Sequence, residues 1–555
     1  MKTNFLFRFA LICLMVFALL SCKTSTKLKP EIPHLKKQGT ATQLMVDGKP
    51  FFILGGELEN SSASSLEYMK PYWPVIQKTN LNTVLATISW EQFEPTEGKF
   101  DFTLVDGLIK DAREHNLRLL LLWFGSWKNG NSRYAADWVK ADQKRFPKVL
   151  NKNGKTLEIL SVFGEETCKA DARAFAALMK HVREVDSEKQ TVLMMQVQNE
   201  VGVHRDSRDR SALANEAFAK PVPKELMDYL QKNKEKLLPE FLKVWETTGF
   251  KTSGTWEEVF GKSVATDEIF MAWNYARYIN RVVEAGKAEY SIPMFVNAWL
   301  VQPQDKTPGD YPSGGPVAQV HDIWRAGGPQ IDILSPDVHL RQCDSILTSY
   351  SRGGNPVFIP ESYSGKQGAA NAFLALGKYG AIGYSPFGIE DKKNENVPLS
   401  KAYAVLSQLS PLIAEHQGNG TMSAALLKPG MANPHIKLGN YTIQVELRKT
   451  RGSKVLPDIG YGIFIAVAPN EYIIAANDIE VTFLPNSSDS IAGLMLVEEG
   501  KFANGKWIPE RRLNGDEVQL RYDLDVAATE RQSGAGLCFL PEKYSIQRVK
   551  LYNYK

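Results

Sequence analysis

Eight short apolar runs alternate with amphipathic stretches between residues 42 and 415, and this alternation constrains the fold more than any other feature of the chain. The runs lie at 51–55, 82–88, 118–123, 192–197, 294–298, 331–335, 357–359 and 381–385. Most are rich in Val, Ile, Leu or Met and bounded by polar or turn residues, as expected of strands covered on both faces. The intervening stretches, such as 104–115, 170–185 and 370–378, carry apolar residues at i, i+3 and i+4, the mark of a helix with one buried face. Eight strand–helix units predict an α/β fold, a parallel (β/α)8 TIM barrel over 41–415.

After residue 415 the period changes. Runs at 441–447, 462–467, 472–475, 494–498 and 518–524 alternate in the two-residue rhythm of strands, broken by Gly, Asn and Pro. They predict a smaller all-β sandwich over 416–555. Its expected role is to pack on the barrel; carbohydrate binding is the alternative, although this stretch holds one tryptophan, Trp507. A length of 555 residues suits a large barrel with one appended module. Hydrophobic content of 43% against 23% charged describes a chain with a sizeable core, which excludes a disordered protein. The net charge is only +4, and no Lys/Arg block follows the first 40 residues, so nucleic acid is not an expected partner. One long, charged insert, 201–290, interrupts the barrel after its fourth run. Helical patterns at 224–237 and 267–288 suit a wall or lid at the mouth of a site.

The N-terminus reads as a targeting segment. Lys2 and Arg8 supply a positive start, and the almost entirely apolar stretch over 5–20 closes on Leu19-Leu20-Ser21-Cys22. This predicts a signal peptide over 1–22 with a bacterial lipobox, Cys22 being acylated, followed by a flexible tether over 23–40. The expected location is the cell envelope, lipid-anchored, on a periplasmic or outer-membrane face. A plain signal peptide or a short membrane anchor is the alternative. Of the five cysteines, Cys13 and Cys22 fall in this segment; Cys168, Cys343 and Cys538 are too widely spaced for a disulfide framework or a zinc site and are expected as small buried hydrophobes.

Two carboxylates carry the chemistry. Glu200 ends Thr191-Val-Leu-Met-Met-Gln-Val-Gln-Asn199-Glu200, and Glu361 follows Asn355-Pro-Val-Phe-Ile-Pro360. Each stands at the C-terminal end of an apolar run, where a β/α barrel keeps its working groups. Two carboxylates across a small gap are what cleavage of a glycosidic bond requires. Asn199, beside the first, suits a grip on a sugar hydroxyl.

Residues 80–102 contain Trp90, Glu94-Pro95, Gly98 and Phe100-Asp101-Phe102, and this segment resembles the second-strand region of clan A glycoside hydrolases, especially families 35 and 42 (β-galactosidases). Met195-Gln-Val-Gln-Asn199-Glu200-Val-Gly202 resembles the family 35 segment that supplies the acid/base. The resemblance implies that Glu200 is the general acid/base, that Glu361 is the nucleophile and that Asn199 binds the sugar 2-hydroxyl. It further implies a retaining, exo-acting β-galactosidase that trims terminal β-galactose from plant polysaccharides or oligosaccharides. Other strand ends offer Trp90, Trp299, Tyr363 and Tyr384 as platforms or hydroxyl donors, and Glu57, Asn60, Asn129 and Asn297 as readers of sugar hydroxyls. Asp337 and His339 either tune the nucleophile or cap a helix. The chain departs from family 35 at Thr87, where a Tyr is usual, and at Gly55-Gly56-Glu57-Leu58-Glu59, where Gly-Ser-x-His-Tyr is usual. It therefore reads as a divergent bacterial branch. Another clan A glycosidase, with a different sugar or endo action, and a non-catalytic glycan-binding lipoprotein remain the alternatives. The eight histidines show no His-x-x-x-His spacing, and no Gly-rich phosphate loop follows a strand, so neither metal nor cofactor is expected.

Overall fold

The computed structural model describes residues 31–390, 397–448, 455–487, 489–518, 535–539 and 544–555. The expected signal peptide with Cys22, the tether up to residue 30 and most of the run at 518–524 lie outside the described residues.

Seven parallel strands make a curled sheet in the order Ile333–Asp337, Met294–Trp299, Val192–Asn199, Arg118–Lys128, Thr83–Ser89, Ile53–Glu57 and Gly383–Tyr384. Segment 357–362 fills the remaining gap as two parallel bridges, Ile359 with Tyr384 and Val338 with Ser362, where a regular strand was expected. Pro356 and Pro360 explain this, because neither has an N–H to give a ladder. The bonds that remain, Ser385 N–H to Ile359 O (2.9 Å) and Val338 N–H to Glu361 O (2.8 Å), still complete the ring. The fold is a (β/α)8 barrel followed by all-β sheets.

The barrel interior is apolar at its lower end, where Ile53, Leu85, Leu120, Phe295, Ile333, Phe358 and Ile382 form one cluster. Leu44 and Val46 join that cluster from an N-terminal sheet of His34–Gln38, Ala41–Val46 and Lys49–Phe51. Asp47 takes up Arg118 at 3.2 Å, and its N–H donates to Gln190 Oε1 at 3.3 Å. Both partners stand where strands three and four begin, so this sheet covers the N-terminal mouth. That corrects the tether: residues 34–38 pair antiparallel with 41–45 and are fixed to the barrel.

Helices Thr103–Glu114, Glu165–Asp186, Val264–Glu289, Gly365–Lys378 and Val397–His416 surround the sheet. The insert after strand four supplies four shorter ones, Ala212–Ala219, Lys224–Lys232, Pro239–Glu246 and Trp256–Phe260. Its first residues are pinned. Arg208 and Arg210 reach Asp267 at 3.1 and 2.8 Å, and Val203 pairs with Ser313. Gly202 sits at φ 142 with its missing Cβ only 2.5 Å from the Pro312 carbonyl carbon, an approach that any side chain would block. The insert begins as a fixed wall.

From Met422 the regular elements among the described residues are strands, apart from one 3-10 turn at Gly515–Glu517. Six antiparallel strands (Met422–Leu427, Gly460–Ala468, Glu471–Asn477, Ser545–Tyr554, Ile491–Ala503, Lys506–Arg512) face four (His435–Leu438, Tyr441–Leu447, Ile479–Pro485, Ala535–Cys538). Ile443, Val445 and Phe483 from the smaller sheet meet Phe464, Ile474 and Val549 from the larger. The outer face of the larger sheet lies on helix Gly365–Lys378, with Phe373 and Tyr461 rings 5.2 Å apart. Gly377 leaves the room: a Cβ there would stand 2.7 Å from Ala424 Cβ.

Candidate active site

The exit of strand four is bent by two left-handed residues, Gln198 (φ 66) and Glu200 (φ 43). Such backbone costs on the order of 1–3 kcal/mol per residue outside glycine and persists only where the surroundings fix it. Here they do. Gln198 Oε1 accepts from Trp127 N–H (3.0 Å), and its Nε2 donates to Asp171 Oδ2 (2.7 Å). Glu200 N–H donates to Asn297 Oδ1 (3.0 Å), and Glu200 O accepts from Gly130 N–H (3.0 Å). Asp171 is itself buried and also accepts from Trp123 Nε1 (2.8 Å) and Ser126 Oγ (2.6 Å). Between the two bent residues, Asn199 is fully buried, and neither its amide oxygen nor its nitrogen has a protein partner.

The exit of segment 357–362 is held by the end of strand six. Glu361 Oε1 is 2.8 Å from His339 Nε2, while its Oε2 is buried with no partner. Ser362 Oγ donates to Val338 O (2.8 Å), and Tyr363 OH donates to His339 O (2.6 Å), which fixes both loops together. Asp337, the last residue of strand six, accepts from Asn297 Nδ2 at 2.7 Å through Oδ2. Asn297 thus ties the Glu200 backbone to the Asp337 carboxyl.

These exits bring four carboxyl groups into one buried space. Burial pushes Glu200 up to about 7; the charge of Glu361 adds to this, and Lys128 opposes it. Glu57, buried at the end of strand one, is raised well above the usual range by burial and then by Glu361, with Lys128 again opposing. Asp337 is raised for the same reasons, by burial and then by Glu361, Glu200 and Glu57. Lys128, only 4% exposed, is the buried cation of the group. A site of this kind holds protons at neutral pH and concentrates negative charge when it loses them. Among the described residues no group of three His, Cys, Asp or Glu is arranged to hold a metal ion.

The structure therefore gathers Glu57, Asn199, Glu200, Asn297 and Glu361, with Asp337 and His339 beside them. Asn60 and Asn129, on the loops after strands one and three, each carry a buried, unpartnered Oδ1. Trp299 and Tyr363 are half-buried at strand ends, near His204 and His339 respectively. Two expectations are corrected. Trp90 is fully buried, donates Nε1 to Glu94 Oε2 (2.7 Å) and packs on Trp123 and Trp138, so it is core between strands and helices and offers no platform. Tyr384 is equally buried, its hydroxyl spent on Ser362 and Tyr363. Asn297 uses both ends of its amide within the protein, accepting from Glu200 N–H and donating to Asp337, and so positions other groups.

Sequence reasoning missed Lys128 and Asp171. Lys128 gave little signal beyond its place in the third exit. Asp171 did leave one: it lies in register with Ala174, Phe175 and Leu178 on the apolar face of its helix, where an acid needs partners.

Residues 67–260, which span strands two to four and the Glu200 loop, match the family model of glycoside hydrolase family 42, described as β-galactosidase. The match is to this family and not to family 35, to which the Asn199–Glu200 segment was assigned from its residues. Residues 399–524 match a domain of unknown function, DUF5597. Comparison with curated proteins gives no match. Among solved structures, the β-galactosidase of Bacillus circulans sp. alkalophilus is 13% identical with a TM-score of 0.44, over 65% of this chain and 57% of that one. The β-galactosidase of the psychrophilic Marinomonas ef1 is 11% identical with a TM-score of 0.44, over 66% and 61%. A β-mannanase of the blue mussel Mytilus edulis is 13% identical with a TM-score of 0.39, over 68% and 97%. The chain spans about three fifths of the length of these two β-galactosidases. Over residues 67–260 the barrel is thus similar to those of family 42, a clan A family of glycoside hydrolases.

Proposed function

We propose that this protein is a retaining, exo-acting β-galactosidase that removes terminal β-galactose from plant polysaccharides or oligosaccharides. The observation that carries the reading is the unequal setting of Glu200 and Glu361 in one buried space: the first pushed up to about 7, the second held by His339 through one oxygen with the other unpartnered. Protonated Glu200 gives its proton to the glycosidic oxygen while Glu361 Oε2 attacks the anomeric carbon, forming a glycosyl ester. Esterification removes the Glu361 charge, one of the two causes that raise Glu200. Glu200 then becomes a stronger acid, stays ionised and acts as base for the water that releases the sugar. Asn199, with its free amide, takes the 2-hydroxyl. Galactose is assigned from the description of the family matched over 67–260. Acylation at Cys22 would hold the enzyme at the cell envelope; Cys22→Ala then moves it from the membrane to the soluble fraction.

The test is turnover of aryl β-glycosides of galactose, glucose, arabinose and xylose by the purified protein. Galactoside is expected to lead, Glu361→Ala to abolish turnover, and Glu200→Ala to accumulate glycosyl–enzyme with an activated leaving group. Absence of turnover on all four, or near-normal rates in Glu361→Ala, overturns the reading.

A further inference from the structure

The outer face of the larger β sheet serves the barrel at one end and meets solvent at the other. Alternate residues of strand Ser545–Tyr554 share a face. Val549 and Leu551 turn into the core between the two sheets, whereas Ile546 turns outward and joins the core of the barrel. Arg548, Lys550, Tyr552 and Tyr554 therefore follow Ile546 along the outer face. Arg548 and Lys550 are already paired, since both reach Glu471, at 2.6 and 3.3 Å. Beyond them Tyr552 and Tyr554 are 42% and 47% exposed. Their ring centres are 5.8 Å apart and their planes are 32° from parallel.

The backbone beneath holds this pair open. Gly493 stands opposite Tyr552 in the ladder, and a Cβ on it would lie 2.5 Å from Tyr552 Cζ. The Tyr552 ring thus lies across the glycine, with one face on the backbone and the other toward solvent. Tyr554 stands opposite Ile491 and has no glycine to cover. Two neighbouring aromatic rings on one exposed face form a patch and not a scatter of single residues.

The chemistry of the patch selects its occupant. Its area falls far short of the roughly 800 Å2 per partner of a stable protein interface. The charges beside it are satisfied by each other, so an ionic ligand finds no free counter-charge. A sugar ring has an apolar C–H face that meets the negative face of an aromatic ring, while its hydroxyls point to the side and keep their water. The spacing of the two rings is close to the advance per residue of an extended β-linked glycan. We infer that Tyr552 and Tyr554 form a non-catalytic binding strip for two consecutive sugars of a neutral β-linked polysaccharide.

Binding is read by native electrophoresis of the whole protein carrying Glu361→Gln, to stop hydrolysis, in gels containing β-1,4-galactan or xyloglucan. At least one of the two polymers is expected to retard it. Adding Tyr552→Ala and Tyr554→Ala is expected to raise the apparent Kd at least tenfold. Tyr552→Phe with Tyr554→Phe is expected to keep most of the binding, because ring faces and not hydroxyls make the contact. Tyr554→Ala alone leaves Gly493 covered and is expected to weaken binding severalfold, which guards against a fold disturbed at Tyr552. Equal retardation with and without the two alanines, or no retardation by either polymer, overturns the strip. A parent that sediments as a dimer, with a monomeric double alanine variant, also overturns it and makes the face an interface between copies. The strip stands apart from the reading of the active site. With Glu361 intact, the two alanines are expected to leave turnover of an aryl β-galactoside unchanged, and a loss of that turnover would place the tyrosines in the catalytic site instead. Absence of turnover in the wild type overturns the glycosidase reading alone, since the gels still judge the strip.

Discussion

Glu200 is raised chiefly because burial disfavours its charge, and its neighbour Glu361 adds repulsion. The proposed acid step needs Glu200 protonated, so on that reading kcat/KM is expected to decline about tenfold per pH unit above about 7 in a pH–rate profile. A profile flat to pH 9 would remove Glu200 from that role. Glu57 has a stability signature of its own. Its folded value lies above its unfolded one, so its contribution is fully present below the unfolded value near 4.5 and is lost as pH rises through the raised one. Glu57→Gln should therefore melt higher than wild type at pH 9, with a much smaller gain at pH 5. A gain that is larger at pH 5 would show that Glu57 is charged without penalty in the fold.

At the level of elements, the site depends on a strand end that could not hold its shape alone. Gln198 and Glu200 are both left-handed, and Asp171, reaching from helix Glu165–Asp186, locks Gln198 as well as Trp123 and Ser126. Asp171→Ala strands buried donors on Trp123, Ser126, Gln198 and Tyr278 and is expected to cost about 3 kcal/mol or more of stability. It should also lower kcat more than tenfold with little change in KM, because the acid is misplaced rather than the sugar released. Asp171→Asn keeps an acceptor and should restore part of kcat; equal kcat in Asp171→Ala and wild type would deny the positioning role. The helix itself was legible from its apolar spacing, and even the odd Asp on its buried face was visible. What that Asp holds was not, since Trp123, Ser126 and Gln198 come from two strands far along the chain.

For the whole molecule, the barrel and the β sheets share one long contact along helix Gly365–Lys378. Gly377→Leu places a side chain where Ala424 and Ile463 already stand, and is expected to lower the melting temperature by several degrees or to split the transition in calorimetry. A wild-type melting curve would mean that this contact contributes little. Periodicity along the chain determined the strand–helix alternation, the change to β rhythm after residue 415 and the standing of Glu200 and Glu361 at the ends of apolar runs. These follow from which side chains must be hidden, a local property. Only the tertiary structure decided that Trp90 and Tyr384 are core, that Asn297 is a brace, and that Lys128, Asp337 and His339 surround the two glutamates. A proton's affinity for a carboxyl group, and a ring's exposure, depend on neighbours that closure of the barrel brings in from remote segments, and no spacing along the chain records them.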